Sequence, residues 1–160
     1  MRIMSLGKQL RRPAPGKDRP EQALGYLLAD AVRLMRREFR ARSAGLKLTP
    51  ALARLLFHVH REPGSHQTAL ASRLEVTPVT LGRMVDRLAA RGYVRRVPDT
   101  VDRRAFRVYV DRAGEPLVGR MEQLGAVITT SATRGFAARE RAELVRQLAR
   151  ICENLGGGSY

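Results

Sequence analysis

The stretch at residues 65–110 constrains the fold more than any other. A short helical pattern begins Ser65-His66-Gln67-Thr68-Ala69-Leu70-Ala71-Ser72-Arg73-Leu74 and stops at a turn expected over Glu75-Val76. A second pattern opens at Thr77-Pro78, where the threonine hydroxyl suits an N-cap and the proline suits the first helical position. Leu81, Val85 and Leu88 recur at helical spacing and predict a buried face, with Val79, Thr80, Arg83 and Arg87 largely on the other side. Gly92 is placed to end this helix in the left-handed conformation. Beyond it the period changes, and residues 93–97 and 105–110 read as two strands around a polar loop at 98–104. Two helices joined by a tight turn, then a hairpin, predict a helix-turn-helix with a β-hairpin wing.

The balance of charge says what such a fold would meet. The formal net charge is +15, so a polyanion is the natural partner. Of the 30 basic residues only 3 are lysine. Arginine suits bidentate contacts to phosphate and guanine, although a GC-rich coding bias also replaces lysine with arginine. Bias does not explain the sign or size of the charge. No run approaches the roughly 18 apolar residues of a membrane span, and no free-standing basic amphipathic helix suggests a membrane surface. The first 20 residues lack the apolar core of a secretory signal, and one cysteine, Cys152, allows no disulfide framework. A cytoplasmic, nucleoid-associated protein is expected.

Taken in order, residues 1–20 read as a basic, disordered tail, and residues 21–160 as a single domain. Within it the winged helix-turn-helix spans about 47–110, flanked by dimerisation helices at about 21–43 and 111–155. In the first of these, Leu24, Leu28, Ala31, Met35 and Phe39 make an apolar stripe widened by Leu27 and Leu34. Thr49-Pro50 opens the next helix, whose buried stripe is Leu52, Leu55, Leu56 and Val59, and Pro63-Gly64 ends it. Asp111 is expected to cap the helix carrying Leu117, Met121, Leu124 and Ile128, which Gly119 and Gly125 weaken or open to close approach. The last helix, 139–155, has Leu144, Leu148, Ile151 and Leu155 on one face. Stripes at both chain ends with little left to cover them predict a symmetric dimer. The fold class is therefore mainly α with a small β-hairpin wing, a winged helix-turn-helix between N- and C-terminal dimerisation helices.

The chain resembles the multiple-antibiotic-resistance regulator (MarR) family of bacterial repressors. The residues that carry the resemblance are Ala69-Leu70-Ala71-Ser72-Arg73-Leu74, the run from Val76 to Leu88, Arg91-Gly92-Tyr93-Val94-Arg95-Arg96, and the wing Pro98-Asp99-Thr100-Val101-Asp102-Arg103-Arg104-Ala105 with Ala113-Gly114 after it. The usual Leu-Thr before that last turn is Val110-Asp111 here. The resemblance implies a dimeric, sequence-specific regulator, most simply a repressor, on double-stranded DNA with a pseudo-palindromic operator. It implies base-edge contact from Thr80 and Arg83, beside Val79, and a phosphate clamp from Arg87. Ser65, Thr68 and Thr77 are implied phosphate contacts through hydroxyls or helix N-terminal amides. Arg104 is implied to enter the minor groove and Asp102 to fix basic side chains, with Arg96 and Arg103 as further contacts. A small aromatic carboxylate or phenol is the implied ligand, in a cleft where Arg54 or His58 would offer a polar group.

Competing readings are weaker. His58 and His60 do not share a helix face, and no cluster completes a metal set, so no metal or cofactor is expected. Cys152 lies on the edge of an apolar stripe and is not expected to act as a redox sensor. No nucleophile–base set or P-loop is present, so an enzyme is not expected. The rival to a specific regulator is a non-specific architectural or nucleoid protein using charge alone, and the ratio of specific to random binding separates the two.

Overall fold

The computed structural model describes residues 20–102 and 105–156; residues 1–19, the basic tail, and Arg103 and Arg104 of the wing lie outside the described residues. The elements run α1 (Pro20–Arg42), a short 3-10 turn (Ala44–Leu46), α2 (Pro50–Arg61), β1 (Ser65–His66), α3 (Gln67–Leu74), α4 (Pro78–Ala89), β2 (Val94–Pro98), β3 (Phe106–Val110), α5 (Glu115–Ala132) and α6 (Ala138–Asn154). The fold is mainly helical with a small antiparallel sheet of strand order β1-β3-β2. By internal contacts the chain divides at Arg36/Arg37, so the first part of α1 forms one unit and residues 37–160 another.

Local chemistry places the helices of the second unit. Thr49 accepts from the Leu52 N–H at 3.4 Å and Thr77 from the Thr80 N–H at 3.2 Å, each followed by proline at the first helical position. The α3–α4 turn passes through Glu75 at φ 56°. The Val76 N–H reaches the Ala71 carbonyl there at 3.0 Å. After α4, Gly92 takes φ +66°. The N–H groups of Gly92 and Tyr93 close on the carbonyls of Ala89 and Leu88, which is the Schellman arrangement expected of a glycine at that place.

One core gathers these elements. Leu52, Leu55, Leu56 and Val59 of α2, Leu70 and Leu74 of α3, and Leu81, Val85 and Leu88 of α4 are buried with Val94, Val108, Val118 and Met121. The stripes expected for α2 and α4 are therefore the buried ones. Phe106, Val108 and Val110 alternate along β3 but are not equally covered. Val108 is fully buried while Phe106, at the wing end, is exposed.

Three expectations are corrected. Ser65-His66 is a strand paired with Val108 and Arg107 rather than the start of a helix. Two residues carry no period, so only the presence of β3 beside them reveals the pairing. Asp111 does not cap α5; Gly114 does, without a side-chain bond. Asp111 instead shapes the preceding turn, its carbonyl taking the Gly114 N–H at 2.7 Å and its carboxylate the Arg112 N–H at 2.9 Å. The third concerns α5 itself. A Cβ at Gly119 or Gly125 would meet nothing within 4 Å, so no described element approaches closely there.

The helices at the two ends keep apolar surface. In α1, Leu24, Leu27, Val32 and Met35 are exposed, and α6 contains no buried residue, with Leu144 and Val145 open. No helix among the described residues is long and apolar enough to cross a membrane.

Candidate nucleic-acid interface

Helix α4 is anchored by Leu81, Met84, Val85 and Leu88 and turns its other side outward. Val79, Thr80, Arg83 and Arg87 are all exposed on that side. Neither Arg83 nor Arg87 makes an ion pair among the described residues, so both guanidinium groups keep their donors for an outside acceptor. The cap polarises Thr80. The Thr77 hydroxyl accepts from the Thr80 N–H and donates to Thr80 Oγ1 at 2.9 Å, which leaves the Thr80 hydroxyl proton as the outward donor. The same bonds spend the Thr77 hydroxyl inside the cap. Thr68 is exposed on α3. Ser65, expected at a helix start, lies in β1, and its hydroxyl donates to the Glu62 carbonyl at 2.8 Å.

Arg96 differs from Arg83 and Arg87. Its Nη1 donates to Asp86 Oδ1 at 2.6 Å and its Nη2 to the Gly82 carbonyl at 3.2 Å. This half-buried arginine ties β2 to the back of α4 rather than standing free. Arg95 lies 5.0 Å above the Tyr109 ring, the geometry of a cation–π contact.

Sequence reasoning missed Asp99. It is 4% exposed, the one buried charged residue among those described. Oδ1 accepts from the N–H groups of Val101 at 2.7 Å and Asp102 at 3.0 Å, and Oδ2 from Arg107 Nε at 2.6 Å. Arg107 Nη1 goes on to the Gly64 carbonyl at 3.2 Å, and His66 Nε2 stands 3.5 Å from Oδ2. The two backbone donors, then Arg107, hold the Asp99 carboxyl down at a pKa of about 2. The signal was present as Pro98-Asp99 before a tight loop, where an aspartate commonly accepts from N–H groups just ahead of it. Asp102, the aspartate expected to organise the wing, accepts the Ala105 N–H through its backbone carbonyl at 2.9 Å.

The histidines go separate ways. His60 meets Glu122 of α5 at 3.1 Å, and His66 lies near Asp99. Burial first, then Arg73, Arg54 and Arg61, pull the His58 pKa below its ordinary value. No group of three His, Cys, Asp or Glu side chains among the described residues could hold a metal.

A groove of about 420 Å³ runs between the end of α1, the 3-10 turn and α5. Arg42, Gly45, Leu46, Arg120, Gln123, Leu124 and Val127 line it. Neither Arg54 nor His58 does, because α2 turns Arg54 outward while Leu55 and Leu56 enter the core.

Comparison with known proteins bears on this arrangement. The sequence model of the MarR family matches residues 46–105, from the 3-10 turn to the wing. A crystal structure of MarR is 29% identical, with 82% of this chain and 96% of that chain covered at a TM-score of 0.68. Over that segment the chain is similar to the MarR family. Two other solved structures extend the comparison. A variant of MarR from E. coli, crystallised in complex with operator DNA, is 26% identical over 81% of this chain and 93% of that one, at a TM-score of 0.65. BpsR of Bordetella bronchiseptica, whose DNA binding is regulated by 6-hydroxynicotinic acid, is 25% identical over 81% and 98%, at a TM-score of 0.66. The chain thus has the fold of these transcriptional regulators, with the α3–α4 unit and β2 inside the matched segment and β3 just beyond it.

Proposed function

We propose that this chain is a dimeric, sequence-specific DNA-binding regulator of the MarR type that represses transcription from a pseudo-palindromic operator. The observation that carries the reading is the outward face of α4, where Thr80 keeps a donor and Arg83 and Arg87 have no internal partner among the described residues. Such a face fits the donor and acceptor pattern of the major groove, with Arg83 to guanine and Val79 against a thymine methyl. Arg87, toward the end of α4, and Thr68 on α3 contact phosphates. The wing follows the neighbouring minor groove with Arg104 and Arg103, whose narrow walls concentrate negative potential. The E. coli MarR variant crystallised with operator DNA supports DNA as the partner.

A second copy covers the open apolar faces of α1 and α6, and so brings two reading heads together. The two α4 helices then enter successive major grooves roughly 34 Å apart. The groove supports a ligand of a particular kind. Leu46, Leu124 and Val127 offer an apolar floor, and Arg120 offers a guanidinium group beside Arg42, which also pairs with Glu38. A small aromatic carboxylate suits that mixture, as the ligand of the Bordetella relative does. Its binding would favour one spacing of the reading heads over another and release DNA.

The test is selection of bound duplexes from a random pool, followed by titration in fixed salt. A regulator prefers its selected site over random DNA by about a thousandfold or more. Arg83→Ala costs about 1–3 kcal/mol on that site and relaxes one base position. A ratio near one assigns the chain to charge-driven architectural binding instead.

A further inference from the structure

Val101 is the most exposed large apolar side chain among the described residues, at 91%. It stands in the loop between β2 and β3, at the far end of the hairpin from Val94 and Val110. The loop around it is built rather than slack. Asp99 Oδ1 holds the N–H groups of Val101 and of the residue after it. The other Asp99 oxygen takes Arg107 of β3, which reaches the carbonyl of Gly64 ahead of β1. A buried carboxylate thus fastens the loop to the sheet at the moment it leaves an isopropyl group in water. The hydration cost of that group persists until a partner covers it.

The hairpin chooses the partner. Arg96 and Arg107 are balanced by Asp86 and Asp99, but Arg95, Arg103 and Arg104 also flank the tip in sequence and the whole chain carries +15, so the partner attracted is a polyanion. A single valine between Thr100 and Asp102 lacks the apolar cluster that burial in a lipid interface needs. It does suit the minor groove, where apolar side chains beside basic ones pack against sugars and base steps. We propose that Val101 is an apolar contact to the deoxyribose wall of the minor groove, and that Asp99 is the positioning residue that presents it. This rests on the DNA reading above.

The experiment uses the full chain and the duplex it selects. Affinity is measured across a salt series, and hydroxyl-radical footprinting reads the minor-groove sugars. Val101→Ser lowers affinity by about three- to tenfold, the loss of one partly buried side chain. It leaves the salt slope unchanged, because no phosphate contact is lost. Protection of the sugars flanking the central site disappears, while Val101→Leu restores both protection and affinity. Asp99→Asn, checked for retained melting, removes protection at the same sugars. Val101→Ser with the parent's affinity and footprint overturns the proposal while leaving the DNA reading intact. Val101-dependent sedimentation with anionic vesicles, without any footprint change, assigns the tip to a membrane and also overturns it. Failure of the parent to select any duplex sinks the DNA reading itself.

Discussion

Gly114 closes the base of the wing, and replacing it with alanine tests how tightly that closure is made. Its φ of −80° and ψ of −30° are ordinary for any residue, so the backbone itself does not resist the change. Space does. A Cβ there would lie 2.3 Å from the Tyr93 carbonyl oxygen, 3.0 Å from Val110 Cγ1 and 3.1 Å from the Asp111 carbonyl oxygen. Two of these neighbours are backbone, and the Tyr93 oxygen already accepts the Asp111 N–H at 2.9 Å. Relief must therefore move β2 away from the turn that follows β3. Overpacking of this kind costs about 1–3 kcal/mol. Weakening one backbone hydrogen bond adds about 1 kcal/mol. The lower entropy of the unfolded chain returns roughly 0.4–1 kcal/mol. The net expectation for Gly114→Ala is a loss of about 2 kcal/mol, read as a fall in Tm of about 4–8 °C for a domain of this size. The matched control is Gly82→Ala in α4, where the added Cβ meets nothing within 4 Å. That change favours the helix by about 1 kcal/mol and raises Tm. Thermal unfolding followed by circular dichroism, at one protein concentration, reads both. A Gly114→Ala protein melting at or above the parent would refute the steric argument.

Two further outcomes follow from the ion pairs. Arg96→Ala removes the tie to Asp86 and Gly82, costs about 0.5–1 kcal/mol of stability, and leaves the salt dependence of DNA binding unchanged. Arg87→Ala instead reduces that slope by about one, and equal slopes for the two variants would place Arg96 on phosphate. Asp99 has a folded pKa of about 2, below its ordinary 3.8. Its contribution is fully present above pH 3.8 and is lost as the pH falls toward 2. Melting curves across that window should fall less steeply for Asp99→Asn than for the parent, and parallel curves would remove Asp99 from the acid response.

Much of the reading head was legible in the chain. Thr77-Pro78, the spacing of Leu81, Val85 and Leu88, and Gly92 act within a few residues of themselves, and each does what its position implied. The dual use of Thr77 was half visible. Its capping role is local, but the donation to Thr80 that spends its proton emerges only when the helix forms. β1 was not legible, because two residues make a strand only by pairing with β3 some forty positions later. The groove shows the same limit, since Arg42 and Arg120 line it from helices far apart in sequence while Arg54 and His58 do not.

The amino-acid order alone determined where α2 and α4 start and where α4 stops, which of their faces are apolar, and that the molecule carries a large positive charge. Tertiary structure decided which charges are available. Arg83 and Arg96 are the same side chain thirteen positions apart, yet one is open and the other is held by Asp86. Asp99 and Asp102 are the same carboxylate three positions apart, yet only Asp99 is buried under Arg107. Caps and periods are settled by near neighbours, whereas an ion pair or a burial depends on what the fold brings alongside, and no local pattern encodes that meeting.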